Sequence, residues 1–61
     1  MDFILTFDIS RENSTLEKRI NRKLKRINAE MVQFSVWKSE KLQELIKIAL
    51  LIKQKGGSAK Y

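Results

Sequence analysis

Cysteine, histidine and proline are all absent from this chain of 61 residues, and Gly56 and Gly57 are its only glycines. Without cysteine and histidine, the chain can form no disulfide, no ordinary zinc site and no Ser-His-Asp or Cys-His catalytic arrangement. It also has no glycine-rich loop of the kind that cradles phosphates. Chains of this length are marginally stable without disulfides, metals or oligomerisation, so the composition favours a homodimer.

Long apolar runs are absent too, because the longest, Ile48 to Ile52, has a lysine at each end. This run is far shorter than the ~20 residues of a membrane span, so no membrane partner is expected. The start, Met1-Asp2-Phe3, is acidic and unlike a secretory signal. We therefore expect one cytoplasmic domain over residues 1–61, with a Lys-, Glu- and Ile-rich composition typical of thermophiles.

Charge is the most prominent feature that is present. Thirteen Lys and Arg residues against seven Asp and Glu residues leave a net charge of +6. Such an excess favours a polyanionic partner, and nucleic acid is the partner that we expect. The alternative is a lysine-rich surface that serves solubility or heat resistance.

Hydrophobic periodicity predicts strands and helices in alternation. The predicted order is a strand at 3–9, a helix from Ser14 to about 31, a strand at 31–37, a helix from about 40 to 55, and a short strand at 58–61. The first strand is expected to be mostly buried on both faces, and Val32, Phe34 and Val36 to share the apolar face of the second. This order predicts an α+β, ferredoxin-like fold that is incomplete (β-α-β-α-β), with one strand missing before the second helix. Homodimerisation would then complete the sheet.

The second helix has an apolar arc of roughly 200° on a helical wheel, wider than one sheet contact needs. Its excess lies at Ile48 and Ile52. These two residues are therefore predicted to form the dimer interface.

The first helix carries a basic cluster between Lys18 and Arg26. Arginines at positions i, i+3 and i+7 share one flank and would present forked donors to successive phosphates. The residues predicted to bind a nucleic-acid backbone are Arg11, Lys18, Arg19, Arg22, Lys25 and Arg26. The alternative is an ordinary solvated helix face.

Asp8 is an acidic residue near the end of an otherwise apolar strand. Two copies of Asp8 facing each other across a dimer axis could share a Mg²⁺ ion with substrate phosphate, which makes Asp8 the candidate catalytic and metal-binding residue. The alternative is that Asp8 caps the next turn, with Arg11 or the amides of residues 10–13 as its partners.

Two short motifs carry a family resemblance. Phe7-Asp8-Ile9 ends the first strand, and Val32-Gln33-Phe34-Ser35-Val36-Trp37 follows the basic helix. In this order they resemble the CRISPR-associated protein 2 family and the related VapD-like proteins. The resemblance implies a ferredoxin-like homodimer that bridges an integrase during spacer acquisition or acts as a metal-dependent endonuclease, with Asp8 as the metal-binding acid and Phe34 and Ser35 on the matching strand.

The chain also departs from that family. It ends where the family's later strands begin, and the basic stretch after the aspartate is reduced to Arg11. The departures suggest a trimmed relative that keeps nucleic-acid binding and has lost catalysis.

Two other classes of protein compete with this interpretation. A ribbon-helix-helix DNA-binding regulator would fit the size, the charge and the opening strand, but the period-2 pattern at 32–37 lies where that fold needs a helix-helix turn. A protein-interaction module would use the apolar arc of the second helix and would bind no nucleic acid.

Overall fold

A computed structural model of the protein describes all residues, 1–61. The elements are β1 (Phe3–Asp8), a single 3-10 turn (Arg11–Asn13), α1 (Ser14–Arg26), β2 (Glu30–Gln33), β3 (Val36–Ser39), α2 (Leu42–Gln54) and β4 (Ser58–Lys60). Together they form a compact α+β domain of two helices and one four-stranded antiparallel sheet.

The strand order across the sheet is β2-β3-β1-β4, and every neighbouring pair is antiparallel. Leu5 lies opposite Trp37 on β3, and Phe7 lies opposite Ala59 on β4. Because β1 is paired along both of its edges, it is not free to pair with a strand of another subunit. The fold therefore excludes the ribbon-helix-helix alternative, which requires a free first strand.

The predicted single strand at 31–37 is wrong, because the chain reverses at Phe34 and Ser35 to form a hairpin. Ser35 adopts a left-handed backbone with φ of 63°, which a serine in a tight turn tolerates more readily than a branched residue would. Gln33 then lies opposite Val36, and a bulge at Val32 shifts the register. Phe34, predicted to face the core, is 78% exposed at the turn.

The hairpin supplies the strand that was predicted to be missing. The order is β-α-β-β-α-β rather than β-α-β-α-β, so the sheet is already four-stranded within one chain. Completing the sheet is therefore no longer a reason for the chain to form a dimer.

Both helices cover one face of the sheet. The core comprises Leu5 and Phe7 of β1, Trp37 of β3 and Ala59 of β4, packed with Leu16, Ile20, Leu24, Leu45, Ile48, Ala49 and Ile52 of the helices. On the other face of β1, Ile4 is 44% exposed and Thr6 and Asp8 are also exposed. The prediction that β1 is buried on both faces is therefore wrong, and the sheet has one open face.

Each helix ends in the same hydrogen-bonded cap. After α1, Asn28 takes φ of 61° and the amide of Ala29 donates to the carbonyl of Leu24 at 2.9 Å. After α2, Gly56 takes φ of 92° and the amide of Gly57 donates to the carbonyl of Ile52 at 2.9 Å. These are Schellman caps with a left-handed residue just beyond the helix. The first cap ends α1 at Arg26, so Met31 belongs to β2 and not to the helix.

Ile48 and Ile52, predicted to form a dimer interface, are core residues of the single chain. Ile48 is 5% exposed and Ile52 is fully buried. The apolar arc of α2 is wide because this helix packs on β1 and β4 and also against α1. The predicted interface role is therefore replaced by a core role, since both side chains are buried within the single chain.

Candidate nucleic-acid interface

The cations predicted on α1 lie on its surface. The exposed members are Lys18, Arg19, Arg22, Lys25 and Arg26. None of them forms an ion pair, since the two ion pairs of the chain are Lys38–Glu30 and Lys47–Glu44. Their charges are therefore available to an outside anion.

Two of the three flank arginines, Arg19 and Arg26, line hollows beside α2, whereas Arg22 lines neither hollow. Arg19 lines a hollow between the start of α1 and Lys55, which follows α2. Lys23 and Arg26 line a second hollow, opposite Lys47 of α2. We call these two hollows together the helix seam. The first turn of α1 thus lies beside the last turn of α2, and the two helices run antiparallel.

Sequence reasoning missed the cations that α2 contributes to the seam. Lys47 lies on α2, and Lys55 is the C-cap residue that follows it, eight residues further along the chain. These positions differ by roughly 80° around the helix axis, so their spacing alone was a weak sign of a shared basic surface. The sequence did not show which flank of α2 turns toward α1.

One acidic residue lines the seam. Glu44 of α2 lies in the same hollow as Lys23, Arg26 and Lys47. Its Oε1 is 3.5 Å from Nζ of Lys47, and both side chains are partly exposed. An exposed pair of this kind contributes about 0.3–0.5 kcal/mol at most, so Lys47 can exchange Glu44 for another anion at little cost.

Arg11 lies in the 3-10 turn after β1 and is exposed. It does not line the helix seam. The turn begins at Ser10, whose hydroxyl accepts a hydrogen bond from the amide of Glu12 at 3.3 Å. Arg11 is therefore an exposed cation just before α1, outside the two hollows, as are Lys18, Arg22 and Lys25.

Asp8 ends β1 with its side chain on the open face of the sheet. It lies opposite Ser58 of β4, and it shares a shallow hollow with Thr6, Lys53 and Lys60. Asp8 is exposed and forms neither an ion pair with Arg11 nor a side-chain hydrogen bond to the 3-10 turn. The structure therefore shows no hydrogen bond or ion pair by which Asp8 would cap the next turn.

The predicted catalytic residue and the predicted binding residues do not converge. Successive side chains of a strand point to opposite faces of the sheet. Leu5 and Phe7 point into the helix-covered core, so Asp8 points to the other side, away from α1. Within one chain, a nucleic acid held on the α1 arginines would have the sheet between itself and Asp8.

The surroundings of Asp8 in one chain do not fit Mg²⁺. This ion prefers octahedral coordination by oxygen ligands, with carboxylates and waters. The hollow at Asp8 offers one carboxylate beside two lysine side chains, Lys53 and Lys60, and no three side chains of metal-binding type come together in the chain. A magnesium site at Asp8 would need acidic ligands from a second molecule.

Fold and surface together define a small basic α+β domain with a cationic helix layer on one side and an open sheet face on the other. Neither helix combines the length and the apolar character that crossing a bilayer requires. Comparison of the chain with protein-family models, curated proteins and solved structures gives no match.

Proposed function

We propose that this protein is a small nucleic-acid-binding protein of the cytoplasm, which holds the phosphate backbone on its helix layer. The observation that carries the proposal is the flank of Arg19, Arg22 and Arg26, exposed and without ion pairs. Guanidinium groups with free donors bind phosphate oxygens in forked geometry. Binding would be sensitive to salt and largely independent of sequence, because backbone contacts carry no sequence information.

The proposal includes the ferredoxin-like class of fold. Its support is the order β-α-β-β-α-β with the sheet order β2-β3-β1-β4, which is the arrangement of a split βαβ fold. The resemblance to the CRISPR-associated protein 2 and VapD-like families, carried by Phe7-Asp8-Ile9 and residues 32–37, favours the same class. From that resemblance we also propose a homodimer and, as a larger protein partner, an integrase.

The open face of the sheet is the surface on which we place the homodimer contact. Ile4 is exposed there, and Val36 of the neighbouring strand β3 is half-buried opposite Thr6. Packing two such faces together would bring Asp8 of each copy into the same interface. A Mg²⁺-dependent endonuclease activity is the enzymatic extension of the proposal, and it depends entirely on that second Asp8.

Light scattering with and without a short duplex at low salt tests the core of the proposal. We expect the mass of a dimer, and a gain in mass when the duplex is added. A dimer that ignores the duplex would contradict nucleic-acid binding and favour the protein-interaction module. A monomer that binds the duplex would leave the binding function in place and remove the shared Asp8 site.

Asp8→Asn tests the enzymatic extension separately. We expect the substitution to abolish Mg²⁺-dependent cleavage, because it removes the carboxylate charge while keeping the shape of the side chain. The fold should persist, since Asp8 is exposed and outside any ion pair. The measurement is cleavage of labelled RNA and DNA with and without EDTA.

Asp2→Asn is the matched control, because Asp2 is another exposed acid near β1 but does not line the Asp8 hollow. Equal cleavage by Asp8→Asn and the unmodified protein would exclude Asp8 from catalysis.

A further inference from the structure

The helix seam contains cations from both helices and not only from the arginine flank of α1. Lys23 and Arg26 face Lys47 across a hollow of about 180 Å³. At the other end of the seam, Arg19 lies beside Lys55. Three cations from α1 and two from the α2 side therefore line the seam, against Glu44 as its one acid.

We propose that the helix seam is the path of one nucleic-acid strand, whose consecutive phosphates lie between α1 and α2. This inference rests on the proposed function and specifies its site. Arg19 and Arg26 are seven residues apart, which is roughly 10 Å along a helix axis. Phosphates of one strand advance about 3.4 Å per nucleotide along a duplex axis. Neighbouring phosphates of an extended single strand are spaced more widely than this rise, so the seam accommodates about two of them.

The floor of the seam explains why the site would hold backbone rather than bases. Ile27, Ile48 and Leu51 line the hollow between its charged rims. These side chains offer no hydrogen-bonding group to a base edge, and no aromatic side chain lines either hollow for a base to stack upon. An apolar floor also lowers the local dielectric, which strengthens the attraction between a rim cation and a phosphate.

Glu44 limits the affinity of this site. Its carboxylate holds Lys47 at 3.5 Å inside the hollow that a phosphate would enter. A bound phosphate must take Lys47 from Glu44 and must then lie near the carboxylate charge. Removing that charge should therefore tighten binding by more than the general gain in net charge from +6 to +7 would.

Two substitutions and one control test the strand path. The readout is fluorescence anisotropy of a labelled single-stranded oligonucleotide of twelve thymidines, titrated at several salt concentrations, with the melting temperature as a check of folding. Lys47→Ala is expected to weaken binding about three- to tenfold and to reduce the salt slope by about 0.7. Glu44→Gln is expected to tighten binding about two- to fivefold, by removal of like-charge repulsion.

Lys41→Ala is the matched control, since Lys41 is an exposed lysine at the N-cap of α2 that lines neither the seam nor the Asp8 hollow. It removes the same charge and is expected to change the affinity by less than about twofold. Equal effects of Lys47→Ala and Lys41→Ala, or no tightening by Glu44→Gln, would overturn the strand path.

The failure of this inference is distinguishable from the failure of the proposed function. Binding that is lost on replacing the α1 arginines but is insensitive to Lys47 and Glu44 overturns the seam and keeps the α1 interface. No binding by the unmodified protein overturns both. Displacement of the oligonucleotide by a few millimolar inorganic phosphate would indicate a site for a single anion, and would overturn the path of consecutive phosphates.

Discussion

Replacing Arg19, Arg22 and Arg26 together with alanine is expected to weaken binding of a short duplex about ten- to hundredfold at low salt. The same variant should reduce the slope of log affinity against log salt by up to ~3 units, since each phosphate contact contributes about 0.9. The physical reason is that all three side chains are exposed and unpaired, so their full charge is available to phosphate. The measurement is a binding isotherm repeated across a series of salt concentrations.

The matched control for this variant removes the same charge elsewhere. Lys41, Lys53 and Lys60 are exposed and lie outside the helix seam. Either triple substitution lowers the net charge from +6 by three, to +3. If the lysine variant lost as much affinity as the arginine variant, net charge alone would drive binding, and α1 would not be the interface.

Local periodicity predicted the elements that depend only on local sequence. The apolar spacing of Leu16, Ile20 and Leu24 predicted α1 and the face that it buries, and both are confirmed. The Gly56-Gly57 pair predicted the end of α2, which the left-handed Gly56 confirms. The first helix was predicted to reach about residue 31 but ends at Arg26, beyond which Asn28 has a left-handed backbone. Asparagine adopts that backbone less often than glycine does, so it did not mark the helix end in the sequence.

The hairpin escaped prediction because its two strands read as one. Residues 32–36 alternate apolar and polar side chains, and no glycine, proline or Asn-Gly pair within 31–37 marks a turn. The reversal at Phe34 and Ser35 relies on a serine at positive φ. Tertiary pairing of β3 with β1 supports that reversal, and pairing between distant segments cannot be read from a single window of sequence.

The positions of the predicted site residues relative to one another could not be predicted from the sequence either. The arginine flank of α1 was found from a helical wheel, yet its neighbour across the seam, α2, was not. Asp8 was singled out as an acid in an apolar strand, but Ile4 suggested that both faces of β1 are buried. The structure instead places Asp8 on an exposed face of the sheet. Whether Asp8 and Arg22 lie on the same side depends on which face of β1 the helices cover, and that is a property of packing.

Ile52→Ala is expected to destabilise the single chain by about 2–5 kcal/mol, the usual loss when a fully buried isoleucine is truncated. Ile52 has no exposed surface, and a Cβ built on Gly57 would lie 2.7 Å from its Cγ2 atom. This close approach places Ile52 against the segment that leads into β4. A domain of 61 residues has about 3–9 kcal/mol of stability in total, so the substitution removes a large share of it and should lower the urea midpoint markedly.

Leu50→Ala is the matched control for this experiment, because Leu50 belongs to the same helix but is 53% exposed. Its loss should be below about 1 kcal/mol, since little apolar area is removed from the core. Urea unfolding of both variants at two protein concentrations separates a core role from an interface role. If Ile52 is a core residue, the urea midpoint of Ile52→Ala is lowered equally at both protein concentrations. If the loss of stability disappears as the protein concentration rises, Ile52 contributes to a dimer interface instead.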